Sequence, residues 1–302
     1  MTTAAESLIC LESRIRLSLL TIAVMASCCQ PSDAVMPGDL PAAATTVEGL
    51  TIPDLKILQD QNRLYFVLPD QKPLPALILL PRIANIVLSV RWISEEKATM
   101  QVKSEPTEWT IALSQPPENT ARVIVVELDA PVELYNQNLI AQPDKDSGII
   151  LLPARYAVTH GTSLRFEPQP YKNTIGYWSN MHDTAEWSFQ NPEPGTWEID
   201  ILQGCGTGHG GSRVSLQVAG QSIDFVVQET GHFQNFIWRT LGSVTLKHHI
   251  PGEKSTLRLV PQSRPGGAVM DVRAIRISPP GSERTFAPEL VDPKLLPIEI
   301  QR

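Results

Sequence analysis

Trp197-Glu198-Ile199-Asp200-Ile201 and Arg213-Val214-Ser215-Leu216-Gln217-Val218 decide the fold. In both stretches apolar and polar residues alternate strictly. A period of two turns one set toward a core and the other toward water, as an antiparallel sheet covered on one side requires. Ala219-Gly220 follows as a tight connection to a strand over Ile223–Val227. Leu257 and Leu259, then Val272–Ile277, supply closing strands, so residues 146–278 read as one all-β unit.

Toward the N-terminus the same physics predicts a second β unit over 51–140. Leu64–Leu68, Ala76–Leu80, Ile83–Val90, Ala98–Val102, Trp109–Leu113 and Val123–Leu128 are short runs rich in β-branched or aromatic residues. Several are continuously apolar, as expected of strands inside a sandwich. Pro69-Asp70, Pro81, Glu95-Glu96 and Pro116-Pro117 punctuate them, and no amphipathic helix intervenes. The polar segment Gln142–Gly148 marks the expected domain boundary, and residues 279–302, rich in Pro, an expected loosely packed tail. The predicted class is all-β, two tandem antiparallel β-sandwiches.

Bulk composition agrees. The 302 residues suffice for two modest domains, and 42% hydrophobic against 19% charged residues supports packed cores. The 26 prolines disfavour helices. A net charge of −7 without long Lys/Arg runs argues against nucleic-acid binding. Arg14 and Arg16 followed by the apolar Leu17–Ala26 predict an export signal over 1–34, although Glu6 and Glu12 are unusual there. Ser32-Asp33-Ala34 fits a cleavage site, while Met25-Ala26-Ser27-Cys28 resembles a lipobox in which Cys28 carries lipid. The first reading gives a periplasmic or secreted protein, the second an envelope-anchored one. Residues 35–50, rich in Pro, Ala and Thr, read as a tether. Cys10, Cys28, Cys29 and Cys205 form no disulfide framework and no metal-binding spacing, and Cys205 reads as a small buried residue.

Three motifs carry a family resemblance. Asn173-Thr174-Ile175-Gly176-Tyr177-Trp178 meets an Asn-x-Gly-Tyr pattern with one extra residue. Thr230-Gly231-His232-Phe233-Gln234-Asn235-Phe236 meets Thr-Gly-x-aromatic-Gln-x-aromatic, and Gly266-Gly267 precedes the closing strand. With Trp187-Ser188-Phe189 and Pro194-Gly195-Thr196-Trp197, this set resembles family 6-type carbohydrate-binding modules, whose fold is a galactose-binding-like jelly roll. In the first unit Arg63–Val67, Pro75–Pro81 and Val123–Pro131 resemble the C-terminal β-sandwich of bacterial α-L-fucosidases, some of which carry such a module next. The fucosidase active site lies on a barrel of roughly 250 residues, and only about twenty residues separate the signal from the first sandwich here, so this chain alone is expected not to hydrolyse glycosides.

The resemblance implies a non-catalytic polysaccharide site at the loop edge of the second unit. Its candidate residues are Tyr177, Trp178, Phe233, Asn235 and Arg273. Aromatic rings take the C–H face of a sugar while planar polar groups bond its hydroxyls. Tyr177 and Trp178 are adjacent on an expected strand, so one faces the core. Phe233 is read equally as ligand platform and core filler, and Trp187 and Trp197 as core. Arg273 stands where the modules often carry Asn, which leaves open an acidic or sulfated glycan, as well as a fucosylated one. No cofactor and no metal is expected, since Leu152–Tyr156 lacks the carboxylates with which the modules hold calcium. Gly204–Ser212 lacks the phosphate-loop pattern and reads as a connection, with a Cys205–His209 pair as the sharper alternative. His248-His249, on a turn, reads as solvent-exposed. Two other functions stay open: an accessory half that docks on a separate fucosidase-like glycosidase subunit, and a structural or protein-interaction sandwich whose sugar site has decayed.

Overall fold

A computed structural model describes residues 40–95, 99–136, 139–247 and 253–282. The expected export signal, Cys28, residues 35–39 of the tether, His248-His249 and residues 283–302 lie outside the described residues.

The all-β class is what the chain adopts, with one 3-10 turn at Ala154–Tyr156 and no α-helix among the described residues. The first sandwich uses β1 (Thr45–Thr46), β2 (Lys56–Asp60), β3 (Arg63–Val67), β4 (Leu77–Pro81), β5 (Val87–Trp92), β6 (Val102–Ser104), β7 (Glu108–Ala112) and β8 (Val123–Leu128). One sheet runs β1-β2-β3-β8-β5 and the other β4-β7-β6. The second uses β9 (Ile140–Ala141), β10 (Ile150–Pro153), β11 (Val158–His160), β12 (Arg165–Glu167), β13 (Thr174–Gly176), β14 (Thr184–Gln190), β15 (Gly195–Gly204), β16 (Arg213–Val218), β17 (Gln221–Val226), β18 (Ile237–Leu246), β19 (Lys254–Ser263) and β20 (Asp271–Ser278). Its sheets run β12-β13-β20-β15-β18, with β10 on β20, and β11-β14-β19-β16-β17, with β9 on β14. Pairing is antiparallel except between β9 and β14. This is a jelly-roll sandwich.

One apolar core runs through both units, from Leu50 and Leu64 through Trp109 and Phe166 to Trp187 and Ile277. Each large side chain removed from water there contributes roughly 1.5–3 kcal/mol. Trp187 and Trp197 are buried, their indole N–H groups donating to the carbonyls of Pro153 and Glu193. Arg82, just after β4, sits in the same core. Its guanidinium donates to the carbonyls of Arg155 and Ala157 and lies 3.9 Å from the centre of the Tyr135 ring. Burial lowers its pKa to about 10, which still leaves it charged.

Two details depart from the simple pattern. The run Ala76–Leu80 was expected to be enclosed, yet Leu77 and Leu79 of β4 are 52% and 48% exposed. β4 is an edge strand of a three-stranded sheet whose outer face nothing covers among the described residues. Conversely, Asp200, on the expected wet face of β15, is buried. It lies directly opposite Arg276 of β20, and the guanidinium bonds its carboxylate at 2.6 Å.

Candidate functional site: a cleft at the β12–β13–β20 edge

Three strand ends build the site. β12 ends at Glu167, β13 ends at Gly176 and β20 begins at Asp271. Register pairs Glu167 with Thr174, and Ile175 with Val272, so the ladder brings residues about a hundred positions apart to one edge. Gly176 makes this possible. A Cβ there would stand 2.7 Å from Glu167 Oε2 and 3.0 Å from Asp271 Oδ1. Both carboxyl groups therefore converge on the space directly above Gly176.

Tyr177 follows with φ +57°, left-handed, which is strained for an aromatic residue. The strained backbone ends the strand alternation and lifts the ring out, leaving it 52% exposed. Arg165 holds it, with its guanidinium carbon 3.7 Å from the ring centre, and is anchored in turn by Glu105 of the first sandwich at 2.9 Å. Trp178 turns inward as the floor. It is fully buried, donates from its indole to the Asp183 carbonyl at 3.0 Å and accepts Val269 N–H on its own carbonyl.

The loop Thr230–Phe236 forms the opposite wall. Thr230 pins it by accepting Cys205 N–H at 2.8 Å. Gly204 and Gly206 let it approach, because a Cβ on either would collide with the carbonyl or ring of Phe233. Phe233 rests against His209, the ring centres 5.1 Å apart. His209 accepts Ala268 N–H and Cys205 is fully buried, its thiol pushed up to about 11 by burial, so the two build the loop rather than a reactive pair.

Between the walls lies a cleft of about 280 Å³ lined by Glu167, Lys172, Tyr177, Trp178, Ser179, Phe233, Gln234, Ala268 and Asp271. Lys172 is ion-paired with Glu167. Gln234 donates to Asp271 Oδ2 at 3.3 Å. No hydrogen bond reaches Asp271 Oδ1 or Glu167 Oε2 from the described residues. Burial, reinforced by the Glu167 charge, holds the Asp271 carboxyl well above the usual carboxylate range. Burial also raises Glu167, against partial offset by Lys172 and Arg165. The edge thus sets a carboxyl group that holds its proton more tightly than usual beside one ion-paired with Lys172.

The five expected ligand residues divide. Tyr177, Trp178 and Phe233 line the cleft. Asn235 does not, because its amide donates to the Thr230 carbonyl at 2.6 Å and closes its own loop. Arg273 does not either. It is buried, donates to the carbonyls of Tyr171 and Lys172 at 2.7 Å, and stacks 3.9 Å from the Phe236 ring centre. The polar group that β20 does present is Asp271, two residues earlier. Glu167, Lys172, Gln234 and Asp271 were not singled out from the sequence. Gln234 lay inside the recognised loop and Asp271 at the head of the closing strand, while Glu167 and Lys172 carried no local signal. Among the described residues no cluster of three or more His, Cys, Asp or Glu could hold a metal ion.

The acid pair has a consequence for stability. The folded state keeps a proton on Asp271 at pH values where the unfolded chain has released it. Stability therefore falls as pH rises through the interval between the ordinary and the raised value. Asp271→Asn cannot ionise, so by calorimetry its melting temperature should fall less than the wild type's as pH rises above the ordinary carboxylate range. Parallel curves for the two proteins would count against a retained proton.

No protein-family model matches the sequence, and no curated protein matches it. Among solved structures the chain is similar to the C-terminal family 6 carbohydrate-binding module of a marine laminarinase from Zobellia galactanivorans, at TM-score 0.35 and 18% identity over 43% of this chain and 99% of the module. It is similar to an α-L-fucosidase from a Vibrio species, at TM-score 0.31 and 17% identity over 74% of this chain and 39% of the enzyme. It is also similar to a family 35 carbohydrate-binding module from Clostridium thermocellum, at TM-score 0.36 and 13% identity over 43% of this chain and 98% of the module. The chain spans well under half the length of the fucosidase.

Proposed function

We propose that this is an exported protein whose cleft binds a neutral sugar residue of a polysaccharide without cleaving it. The observation that carries the reading is the placement of Tyr177. A strained backbone and the Arg165 stack hold its ring in water beside the Glu167–Asp271 edge. An exposed ring held at conformational cost is what stacking on a sugar face uses. The carboxyl groups, Gln234 and Lys172 supply donors and acceptors for hydroxyls.

The cleft offers an anionic glycan little counter-charge: its one ammonium, Lys172, is already paired with Glu167, and the guanidinium of Arg273 is committed to backbone carbonyls. Geometry argues against hydrolysis by the pair. Glycosidase carboxyl groups flank the scissile bond from two sides, whereas these two converge over Gly176 with the sheet behind them.

On a glycan array followed by calorimetry, the wild type should retain neutral glycans above sulfated ones. Tyr177→Ala should weaken the best ligand by about thirtyfold, roughly 2 kcal/mol, with its melting temperature near that of wild type. Unchanged affinity in Tyr177→Ala, or no glycan bound by the wild type, sinks the reading.

A further inference from the structure

Resting on the cleft as a sugar site, we propose a second subsite beside it, at the junction of the two sandwiches, so that the protein binds a run of neutral sugar residues. The turn Gln169–Asn173 separates the two places. Lys172 N–H and Asn173 N–H both donate to the Gln169 carbonyl, at 2.9 and 2.7 Å, and the turn sends Lys172 into the cleft. Tyr171, its neighbour, lines a separate groove of about 260 Å³ with Leu88, Val90, Gln101 and Gln169. The first sandwich supplies one side of this groove through β5.

Three observations mark the groove as a binding surface. Tyr171 and Leu88 are 36% and 45% exposed, apolar surface next to a second aromatic platform. Gln169 has its orientation fixed, because Nε2 donates to the Val102 carbonyl at 2.7 Å. Its Oε1 finds no donor among the described residues, an unpaired acceptor in the groove wall. Cleft and groove are also adjacent: Lys172, whose ammonium lies 5.6 Å from the centre of the Tyr177 ring, lines the cleft, and Tyr171, the residue before it, lines the groove. Arg273 stiffens the strip from beneath by holding the carbonyls of Tyr171 and Lys172.

The test is calorimetric titration of the full chain with neutral ladders from disaccharide to hexasaccharide, namely β-1,3-glucan, β-1,4-mannan and β-1,4-xylan. For the ladder that binds, affinity should rise by about tenfold or more with length. Tyr171→Ala, and independently Leu88→Arg at an exposed position, should abolish that rise and leave disaccharide binding as in the wild type. Tyr177→Ala should weaken every length. Affinity that stays flat with length, or a rise that survives both groove variants, overturns the second subsite and leaves the cleft standing. Absence of binding by every ladder overturns the cleft and the subsite together.

Discussion

Arg276→Ala should destabilise the protein by about 3–5 kcal/mol, because it strands a buried carboxylate. Arg276 and Asp200 face each other on the central strands β20 and β15, with side chains 3% and 2% exposed. Nη2 and Nε approach the same carboxylate oxygen at 2.6 and 3.1 Å, and Thr240 donates to the other at 2.6 Å. The guanidinium also stacks 4.9 Å from the centre of the Trp238 ring. Removing the arginine leaves the buried Asp200 side chain with its Thr240 hydrogen bond but without its ion-pair partner. The expected result is a large drop in the denaturant midpoint with unchanged slope. Replacing both partners by apolar residues of similar volume should recover much of the loss, since the intact pair has itself given up its hydration. A cost below about 1 kcal/mol for the single variant would show that the pair is solvated.

Arg273→Ala should cost about 2–4 kcal/mol and weaken glycan binding together with stability. Its guanidinium satisfies the carbonyls of Tyr171 and Lys172, and each buried acceptor left without a donor costs about 1–3 kcal/mol. Loss of the stack on Phe236 adds to this. The carbonyls belong to the turn that carries Lys172 into the cleft, so ligand affinity should fall although Arg273 does not line it. Arg273→Lys should rescue little, because a point ammonium cannot reproduce the planar fork. Denaturant titration with parallel calorimetry checks both effects. A variant with wild-type stability and lost binding would return Arg273 to the role of direct ligand contact.

Much of the fold was legible. Arg213–Val218 was read as a strand and forms β16 residue for residue, because its alternation is uninterrupted. Val272–Ile277 lies within β20. β18, ten residues long, was not anticipated. A bulge opposite Ile199 and Asp200 throws Leu241 out of register, and Gly242 adopts φ +154°, so the period of two is broken midway. At the site, Tyr177 and Phe233 were singled out because aromatic residues in turn-rich loops carry a local signal, and both line the cleft. Glu167 and Asp271 stand 104 positions apart and meet only through the β12–β13–β20 ladder. No local pattern encodes a contact at that separation.

The order of apolar and polar residues was enough to specify strands, an all-β class and the burial of Trp187 and Trp197, since period and hydrophobicity act over a few neighbouring residues. Packing settled the rest. Leu77–Leu80 is wholly apolar and Val123–Leu128 is apolar but for Glu127, yet the first leaves alternate leucines in water on an edge strand. In the second, a central strand, every residue but Glu127 is buried. The same holds for Arg273. Its charge suggested a ligand contact, but its place on a buried strand beneath the Tyr171–Lys172 turn makes those carbonyls its partners. Which groups meet, and therefore which ones face a sugar, depends on layers that come together only when distant segments pack.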